Sequence, residues 1–422
     1  MKWNTVKLGD LSLVGPQYGA NARAISASGK RPRYIRITDI DSKGSLLPND
    51  SVEADILDES QFLLKDGDLL LARSGNTVGK SYRYTSKDGP CIFAGYLIRF
   101  RINPNLADSR FLFYFTQSSI YQSWVVSKRR VAGQPNINGK EYSSLPIPLP
   151  PLSEQRLIVE ILDQADALRK KRSEADAKSI RILPALFYKM FGDPATNPKG
   201  WPFKPLGELS IGHPQYGANA KAINYEEGTP RYVRITDITD DGFLSDVDIK
   251  TLDSEDWEPY RLEDGDLLFA RSGATVGKSY LYHPDDGPCA FAGYLIRFKL
   301  NKSLIQPWVV FALAHTPYFR SWVAARRRTA AQPNINGQEY ASLKLPQPDP
   351  KTQNRFVGAL QVLHSSYFKR KRARRELENL FSVMLNSAFR GDLTASWRES
   401  HIEELLTEMN VQAKELGWEE NL

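Results

Sequence analysis

The sequence predicts an α+β fold in which two similar α/β globules are joined by two long antiparallel helices, the whole arranged with pseudo-two-fold symmetry. Internal repetition is the first reason. Pro16-Gln17-Tyr18-Gly19-Ala20-Asn21-Ala22 returns as Pro214-Gln215-Tyr216-Gly217-Ala218-Asn219-Ala220, an offset of 198 residues. The same offset relates Arg33 through Ile40 to Arg231 through Ile238, Phe93 through Phe100 to Phe291 through Phe298, and Gln134 through Gly139 to Gln332 through Gly337. Roughly half of the positions from Leu8 to Pro150 match their counterparts, and two copies are too few for a solenoid. The second reason is strand-like patterning within each copy, and the third is a long stretch of helical periodicity after each.

Taken in order, 1–150 forms the first globule. Tyr34-Ile35-Arg36-Ile37, Leu69-Leu70-Leu71-Ala72 and Tyr96-Leu97-Ile98-Arg99-Phe100 are short apolar or alternating runs set off by Gly, Asp and Pro, as strands are. Residues 151–192 form the first helix: Ile158, Leu162, Ala165, Leu168, Ile180, Leu183, Phe187 and Met190 recur mostly three or four apart. Ser153 offers its N-cap, and Pro184 should kink or split it. Residues 193–348 repeat the globule. Residues 349–391 repeat the helix, with Phe356, Leu360, Leu363, Leu377, Phe381, Leu385 and Phe389 on its stripe. Helices of about 36 residues would each span about 54 Å. An apolar stripe of that length needs a partner, either the other copy's helix or the helix's own globule. Residues 392–422 read as a short acidic helical tail with no assignable role.

Composition narrows the function classes. Of 422 residues, 41% are hydrophobic and 25% charged, ordinary globular values with room for two or three domains. No window holds the ~18 uncharged apolar residues of a membrane span, and Met1-Lys2-Trp3-Asn4 opens no signal peptide. Two cysteines cannot make a disulfide framework. The expectation is a soluble cytoplasmic protein without membrane partners. Fifty-six basic against 49 acidic residues leave +7, compatible with a polyanion but not proof of one.

Several chemistries are excluded. Arg73-Ser74-Gly75-Asn76-Thr77-Val78-Gly79-Lys80-Ser81 and its counterpart Arg271 through Ser279 look like phosphate loops, but three residues separate the glycines where four are needed. Strand-like Tyr82-Arg83-Tyr84 follows, so no helix N-terminus is there to hold phosphates. Cys91 and Cys289 read as buried core thiols. His213, His283, His315, His364 and His401 are scattered and none recurs in the other copy, so no metal site or histidine-based catalytic pair is supported. The chain is expected to do no chemistry and to bind no cofactor itself.

Nucleic acid fits better. Lys128-Arg129-Arg130 and Arg326-Arg327-Arg328 occupy the same place in each copy and suit phosphate contacts. The Gln-Pro-Asn-Ile-Asn-Gly turns that follow either read bases or lock the globule, with the lock preferred. Base reading needs paired donors and acceptors, chiefly Arg, Asn and Gln. Gln17, Tyr18 and Asn21 supply them, with Tyr18 able to stack. Arg33, Arg36, Thr38 and Arg73, with Lys80 for phosphates, form a second group, and Thr77 is presented on the same loop as Arg73 and Lys80. Their counterparts are Gln215, Tyr216, Asn219, Arg234, Thr236, Arg271, Thr275 and Lys278.

These residues match a known pattern. Gly67-Asp68-Leu69-Leu70 followed by Arg73 through Ser81, repeated from Gly265, and Pro148-Leu149-Pro150-Pro151-Leu152-Ser153-Glu154-Gln155 opening the first helix carry the match. So do Met190-Phe191-Gly192-Asp193-Pro194 through Gly200-Trp201-Pro202, and Ala388-Phe389-Arg390-Gly391-Asp392-Leu393-Thr394. Over nearly its whole length the chain resembles the DNA-specificity (S) subunit of Type I restriction-modification systems, in the order target-recognition domain, spacer helix, target-recognition domain, spacer helix. The second helix departs by opening Pro350-Lys351-Thr352-Gln353-Asn354, without the Glu-Gln pair.

The resemblance implies a non-catalytic subunit whose two recognition domains each read half of a bipartite double-stranded DNA site. The helices would set the spacing and dock two modification subunits. S-adenosylmethionine for N6-adenine methylation would sit on those partners, and ATP and Mg would serve the restriction subunits. Most such subunits differ between their recognition domains, whereas here these are the similar part. Like domains on a pseudo-two-fold axis meet opposite strands alike, so the site expected is an interrupted palindrome. Rival readings are a standalone nucleotide-dependent enzyme and a duplicated module for another polyanion such as RNA or polysaccharide.

Overall fold

Leu69-Leu70-Leu71-Ala72 is apolar on both faces because it forms the buried centre of the first globule's main sheet, as Leu267-Leu268-Phe269-Ala270 does in the second. The structure, a computed structural model, describes residues 3–41, 43–47, 51–128, 135–180, 182–245, 248–254, 256–326 and 334–418, with backbone only at 76, 176, 177, 179, 180 and 361–371. In the first copy the strands are β1 (Asn4–Lys7), β2 (Gln17–Tyr18), β3 (Ala24–Ser26), β4 (Arg33–Ile35), β5 (Val52–Ala54), β6 (Leu69–Ala72), β7 (Ser81–Arg83), β8 (Cys91–Phe93), β9 (Leu97–Phe100) and β10 (Pro146–Leu149). Helices α1 (Ser109–Phe115), α2 (Ser119–Lys128) and α3 (Gly139–Ser143) lie between β9 and β10.

The main sheet has the order β2-β9-β6-β7, all antiparallel. β4 and β8 pair in parallel, β3 pairs with β5, and β1 pairs with β10, so that the globule's first and last strands close on each other. Successive side chains of a strand point to opposite faces, and β6 shows the consequence. Leu69 and Leu71 enter one core with Ile98, Phe100, Phe111, Phe115 and Tyr121. Leu70 and Ala72 enter another with Ile35, Phe93 and Leu97. The second copy divides Leu267 and Phe269 from Leu268 and Ala270 in the same way, in a sheet of the same order. Its helices are α6 (Pro307–Ala314), α7 (Pro317–Arg326) and α8 (Gly337–Ala341).

The long helices follow each globule as expected. The first runs as α4 (Leu152–Ile180) and α5 (Ile182–Phe191), with residue 181 outside the described set; Pro184 falls in the first turn of α5, where no hydrogen bond to a preceding turn is required of it. The second, α9 (Pro350–Arg390), runs 41 residues, followed by α10 (Ala395–Ser400) and α11 (Ile402–Glu415). One expectation is corrected. Ser153 does not cap α4, because the helix already begins at Leu152; the Ser153 amide instead donates to Glu408 Oε2 at 3.0 Å. In α9 the capping carboxylate is Asp349, which accepts from the Thr352 amide at 3.0 Å and hydroxyl at 2.7 Å.

Contacts divide the chain into unit 1, residues 1–171 with 374–422, and unit 2, residues 172–373. In unit 1, Ile158, Val159 and Leu162 of α4 share a core with Phe381, Leu385, Ala388 and Phe389 of α9. These segments run antiparallel: Glu154 meets Thr394, while Arg169, farther along α4, meets Glu378, earlier in the chain. In unit 2, Phe187 and Phe191 of α5 pack on Phe356 and Leu360 at the start of α9. Each globule's core is thus completed by the end of the helix that follows the other copy.

Candidate nucleic-acid interface

Two segments meet at the edge of the main sheet in each unit. The first leaves β2 as Gly19-Ala20-Asn21. Its path is pinned, since the Ala20 amide donates to the Phe93 carbonyl at 2.8 Å and the Gly95 amide to the Ala20 carbonyl at 2.8 Å. A side chain at Gly19 would meet the Phe93 carbonyl oxygen at 2.3 Å, so only glycine fits this approach. The second segment is the loop from Arg73 to Lys80. A turn of 3-10 helix spans Gly75–Thr77 and the chain passes directly into β7, so the loop has no helix N-terminus for phosphates. The Thr77 hydroxyl donates to the Ser74 carbonyl at 3.0 Å, and Lys80 Nζ to the Ile40 carbonyl at 2.9 Å. Thr275 and Lys278 repeat both bonds, and Lys278 also reaches Asp240 at 2.8 Å.

Between these segments Arg73 lays its guanidinium 4.9 Å from the centre of the Tyr18 ring, and Arg271 lies 4.8 Å from that of Tyr216. Such pairs are held by the ring's negative face; Arg73 Nε is buried, and Arg271 Nε donates to Asn334 Oδ1 at 3.4 Å. Tyr18 is 43% exposed and Tyr216 40%. The Gly139 amide donates to the Tyr18 hydroxyl at 2.9 Å, and the Gly337 amide to that of Tyr216 at 3.0 Å. Asn21 and Asn219 stand exposed beside them.

The turn at Pro135 through Gly139 acts as a lock. The Gly75 amide donates to the Pro135 carbonyl and the Ile137 amide to the Arg73 carbonyl, both at 2.9 Å. Asn138 and Glu141 form a reciprocal capping box on α3, and the Tyr142 hydroxyl donates to the Ala72 carbonyl at 2.7 Å. The arginine loop is therefore held from beneath rather than left to swing. Gln134 and Gln332 lie outside the described residues.

Other sequence candidates are placed differently. Gln17 Oε1 accepts from Arg99 Nε at 2.8 Å and from its Nη2, tying β2 to β9; Gln215 Oε1 accepts from Arg297 Nη2, and its amide donates to the Pro259 carbonyl at 3.1 Å. Bidentate adenine reading needs both amide groups, so these glutamines serve the framework first. Arg36 forms two bonds to Asp39, at 3.1 and 2.8 Å, and Arg234 pairs likewise with Asp237 and also with Asp248. The hydrogen-bonded carboxylate raises the pKa of each guanidinium above its ordinary value and occupies the fork that would grip guanine. Thr38 and Thr236 are exposed on the same turns. Lys128 Nζ lies 5.8 Å from the centre of the Trp124 ring, and the Arg326 guanidinium 4.0 Å from that of Trp322, at the ends of α2 and α7. Arg129, Arg130, Arg327 and Arg328 lie outside the described residues.

Tyr96 and Tyr294, each 62% exposed beside this cluster, were not singled out by sequence reasoning. Their signal was present, since both lie in the repeated stretch Phe93 to Phe100, but alternation there reads as a strand and hides an outward turn. No group of three or more metal-ligating side chains occurs among the described residues, and no helix among them is long and apolar enough to cross a membrane.

Residues 1–175 match the family model described as Type I restriction modification DNA specificity domain. The chain is 26% identical over 378 residues to the Type I restriction enzyme EcoKI specificity subunit of Escherichia coli (strain K12), covering 82% of this chain and 79% of that protein. It is 26% identical over 373 residues to the StySPI specificity subunit of Salmonella potsdam, with the same coverage of both. Among solved structures, the Type-I restriction-modification system S subunit from M. genitalium matches with a TM-score of 0.52 at 14% identity, over 92% of this chain and 96% of that one, a likeness of fold.

Proposed function

We propose that this chain, a non-catalytic specificity subunit of the Type I restriction-modification family, reads a bipartite duplex DNA site whose two half-words are the same, an interrupted palindrome. The observation supporting this is the repetition of the exposed cluster. Tyr18, Asn21 and Arg73 are matched residue for residue by Tyr216, Asn219 and Arg271, with the guanidinium-over-ring geometry kept within 0.1 Å. Like surfaces read like words, and a two-fold arrangement puts those words on opposite strands. Arg73 and Asn21 are the base readers, because Asn21 is exposed and Arg73, half-buried against Tyr18, is carried on a fixed backbone; Arg271 and Asn219 are their equivalents. Lys128 and Arg326 contact phosphates.

The long helices hold the distance between half-words and dock two modification subunits. Those subunits bring S-adenosylmethionine and methylate adenine at N6 in the cytoplasm, and restriction subunits, where present, bring ATP- and Mg-dependent cleavage. The test is to co-express the chain with its modification subunit and map N6-methyladenine across the host genome. An interrupted palindrome is expected. An asymmetric bipartite word would move base reading to the positions that differ between copies, and methylation without a defined word would overturn the reading.

A further inference from the structure

Large exposed side chains of apolar character are scattered over the described residues, but only two positions carry the same one in both copies: Tyr18 with Tyr216, and Tyr96 with Tyr294. Tyr18 is accounted for by its bond from Gly139 and by the guanidinium of Arg73. Tyr96 has no such account. Neither its hydroxyl nor that of Tyr294 has a hydrogen-bond partner among the described residues, and each ring is 62% open to water.

The backbone beneath it is fixed. Ala94 to Leu97 is a tight turn, with the Leu97 amide donating to the Ala94 carbonyl at 2.8 Å. One side is bonded to the β2 loop through Gly95 to Ala20 at 2.8 Å, and the other to the arginine loop through the Arg73 amide to the Tyr96 carbonyl at 3.0 Å. The second copy repeats all three bonds: Leu295 to Ala292 at 2.8 Å, Gly293 to Ala218 at 2.8 Å and Arg271 to Tyr294 at 3.0 Å. A tyrosine on a rigid turn offers a large flat surface while losing only two side-chain rotations on contact. The turn also joins the two loops that carry Asn21 and Arg73, which sets the backbone of Tyr96 between them.

We infer that Tyr96 and Tyr294 are specificity-determining residues whose rings pack against base edges of their own half-word. This rests on the specificity-subunit reading above. The ring, the larger part of the exposed side chain, supplies the contact, and phenylalanine separates it from the hydroxyl. Loss of one contact to a base edge in a duplex weakens binding by about ten-fold, the lower end of what one wrong base pair costs.

The test uses the full chain co-expressed with its modification subunit, in wild-type, Tyr96→Phe, Tyr96→Leu, Tyr96→Ala and Tyr294→Ala forms. Methylated words are mapped first, and affinity is then measured on a duplex carrying the wild-type word and on one with the first half-word scrambled. Tyr96→Phe should keep the wild-type word and affinity. Tyr96→Ala should bind the wild-type duplex about ten-fold more weakly and relax the word at one half only, and Tyr294→Ala should relax the other half. Tyr96→Leu fills the same space without an aromatic face; a loss like that of alanine, with an unchanged melting temperature, keeps folding out of the comparison. Unchanged words and affinities in both alanine variants overturn the inference and leave the specificity reading standing. A wild-type complex that methylates no defined word overturns both.

Discussion

Arg398 closes on Glu154: its Nη2 lies 2.7 Å and its Nε 2.8 Å from the same carboxylate oxygen. Thr394 donates to that oxygen at 2.6 Å, and Trp3 Nε1 donates to the other at 2.9 Å. Glu154 is fully buried, and the Arg398 guanidinium lies 4.8 Å from the centre of the Trp3 ring. One carboxylate thus ties together the N-terminal strand, the start of α4 and the segment after α9. Beside it, Gln412 of α11 donates to the Leu106 and Pro150 carbonyls that Gln155 also uses. The acidic tail is a clasp on unit 1.

Removing one partner of a buried ion pair leaves the other charge uncompensated, at a cost of about 3–5 kcal/mol. Arg398→Ala should therefore destabilise unit 1 by about that amount, and Glu154→Gln comparably, because the amide keeps one acceptor oxygen and turns the other position into an NH2 that meets a donor, Trp3 Nε1 or the Thr394–Arg398 pair. Urea unfolding followed by tryptophan fluorescence reports on it. An Arg398→Ala midpoint equal to wild type would remove the clasp from the account.

Much of the fold was legible because period and repeat are strong signals. The four-residue run at Leu69 is apolar on both faces, as a strand between two cores must be, and the second copy repeats that pattern as Leu267-Leu268-Phe269-Ala270. The site was only partly legible. Gln17 and Arg36 have the residue types that read bases, but Arg99 and Asp39 occupy their polar groups, and neither partner could be identified by spacing. Glu154 was visible as a helix-entry residue, while its burial depends on Thr394 and Arg398, some 240 residues away. The tail had no counterpart after the first helix, so repetition was silent about it. In unit 2 the corresponding junction is closed locally, by Gln347 donating to the Leu304 carbonyl at 3.2 Å.

His315 gives unit 2 its own pH dependence. Its ring lies 4.5 Å from the Phe311 ring, with Nδ1 2.9 Å from the Phe311 carbonyl. Burial pulls its pKa below the ordinary 6.5, against the opposing pull of that carbonyl and of Asp241, while Arg320 acts in the same direction as burial. The unfolded chain then takes up the proton more readily than the folded one. Stability is full above pH 6.5 and declines as pH falls below it. Gln117 holds the equivalent position in the first copy, so His315→Gln should flatten this acid limb between pH 6.5 and about 5, above the range where carboxylates titrate. Hydrogen exchange in α6 as a function of pH measures it; an equal slope in the variant would assign the limb to another group.

Asn76 faces Ala274 across the repeat in an otherwise identical loop. Its side chain lies outside the described residues. If Asn76 itself reads a base, the half-words differ at that one position, and Asn76→Ala should make the methylated site more symmetric. Mapping N6-methyladenine with the variant complex is the measurement. A new and unrelated half-word would refute the correspondence between repeat and palindrome.

Residues 1 to about 198 alone should pair into a working specificity unit. The core of unit 1 draws on Phe381, Leu385, Ala388 and Phe389 from the helix after the second copy. At the 198-residue offset these correspond to Leu183, Phe187, Met190 and Phe191 of α5, which pack in unit 2 against Phe356 and Leu360. A second molecule of the first half can therefore offer an apolar edge of the same spacing, and neither half need leave that core open. The pair lacks Thr394, Arg398 and the tail, so Glu154 loses its ion pair and the dimer should dissociate more readily than the intact chain unfolds. Sedimentation across a concentration series, together with site-specific methylation when modification subunits are supplied, decides the matter. A stable monomer that directs no methylation would show that the two helices are not interchangeable, and that the repeat preserves a recognition surface without preserving the way the units are held.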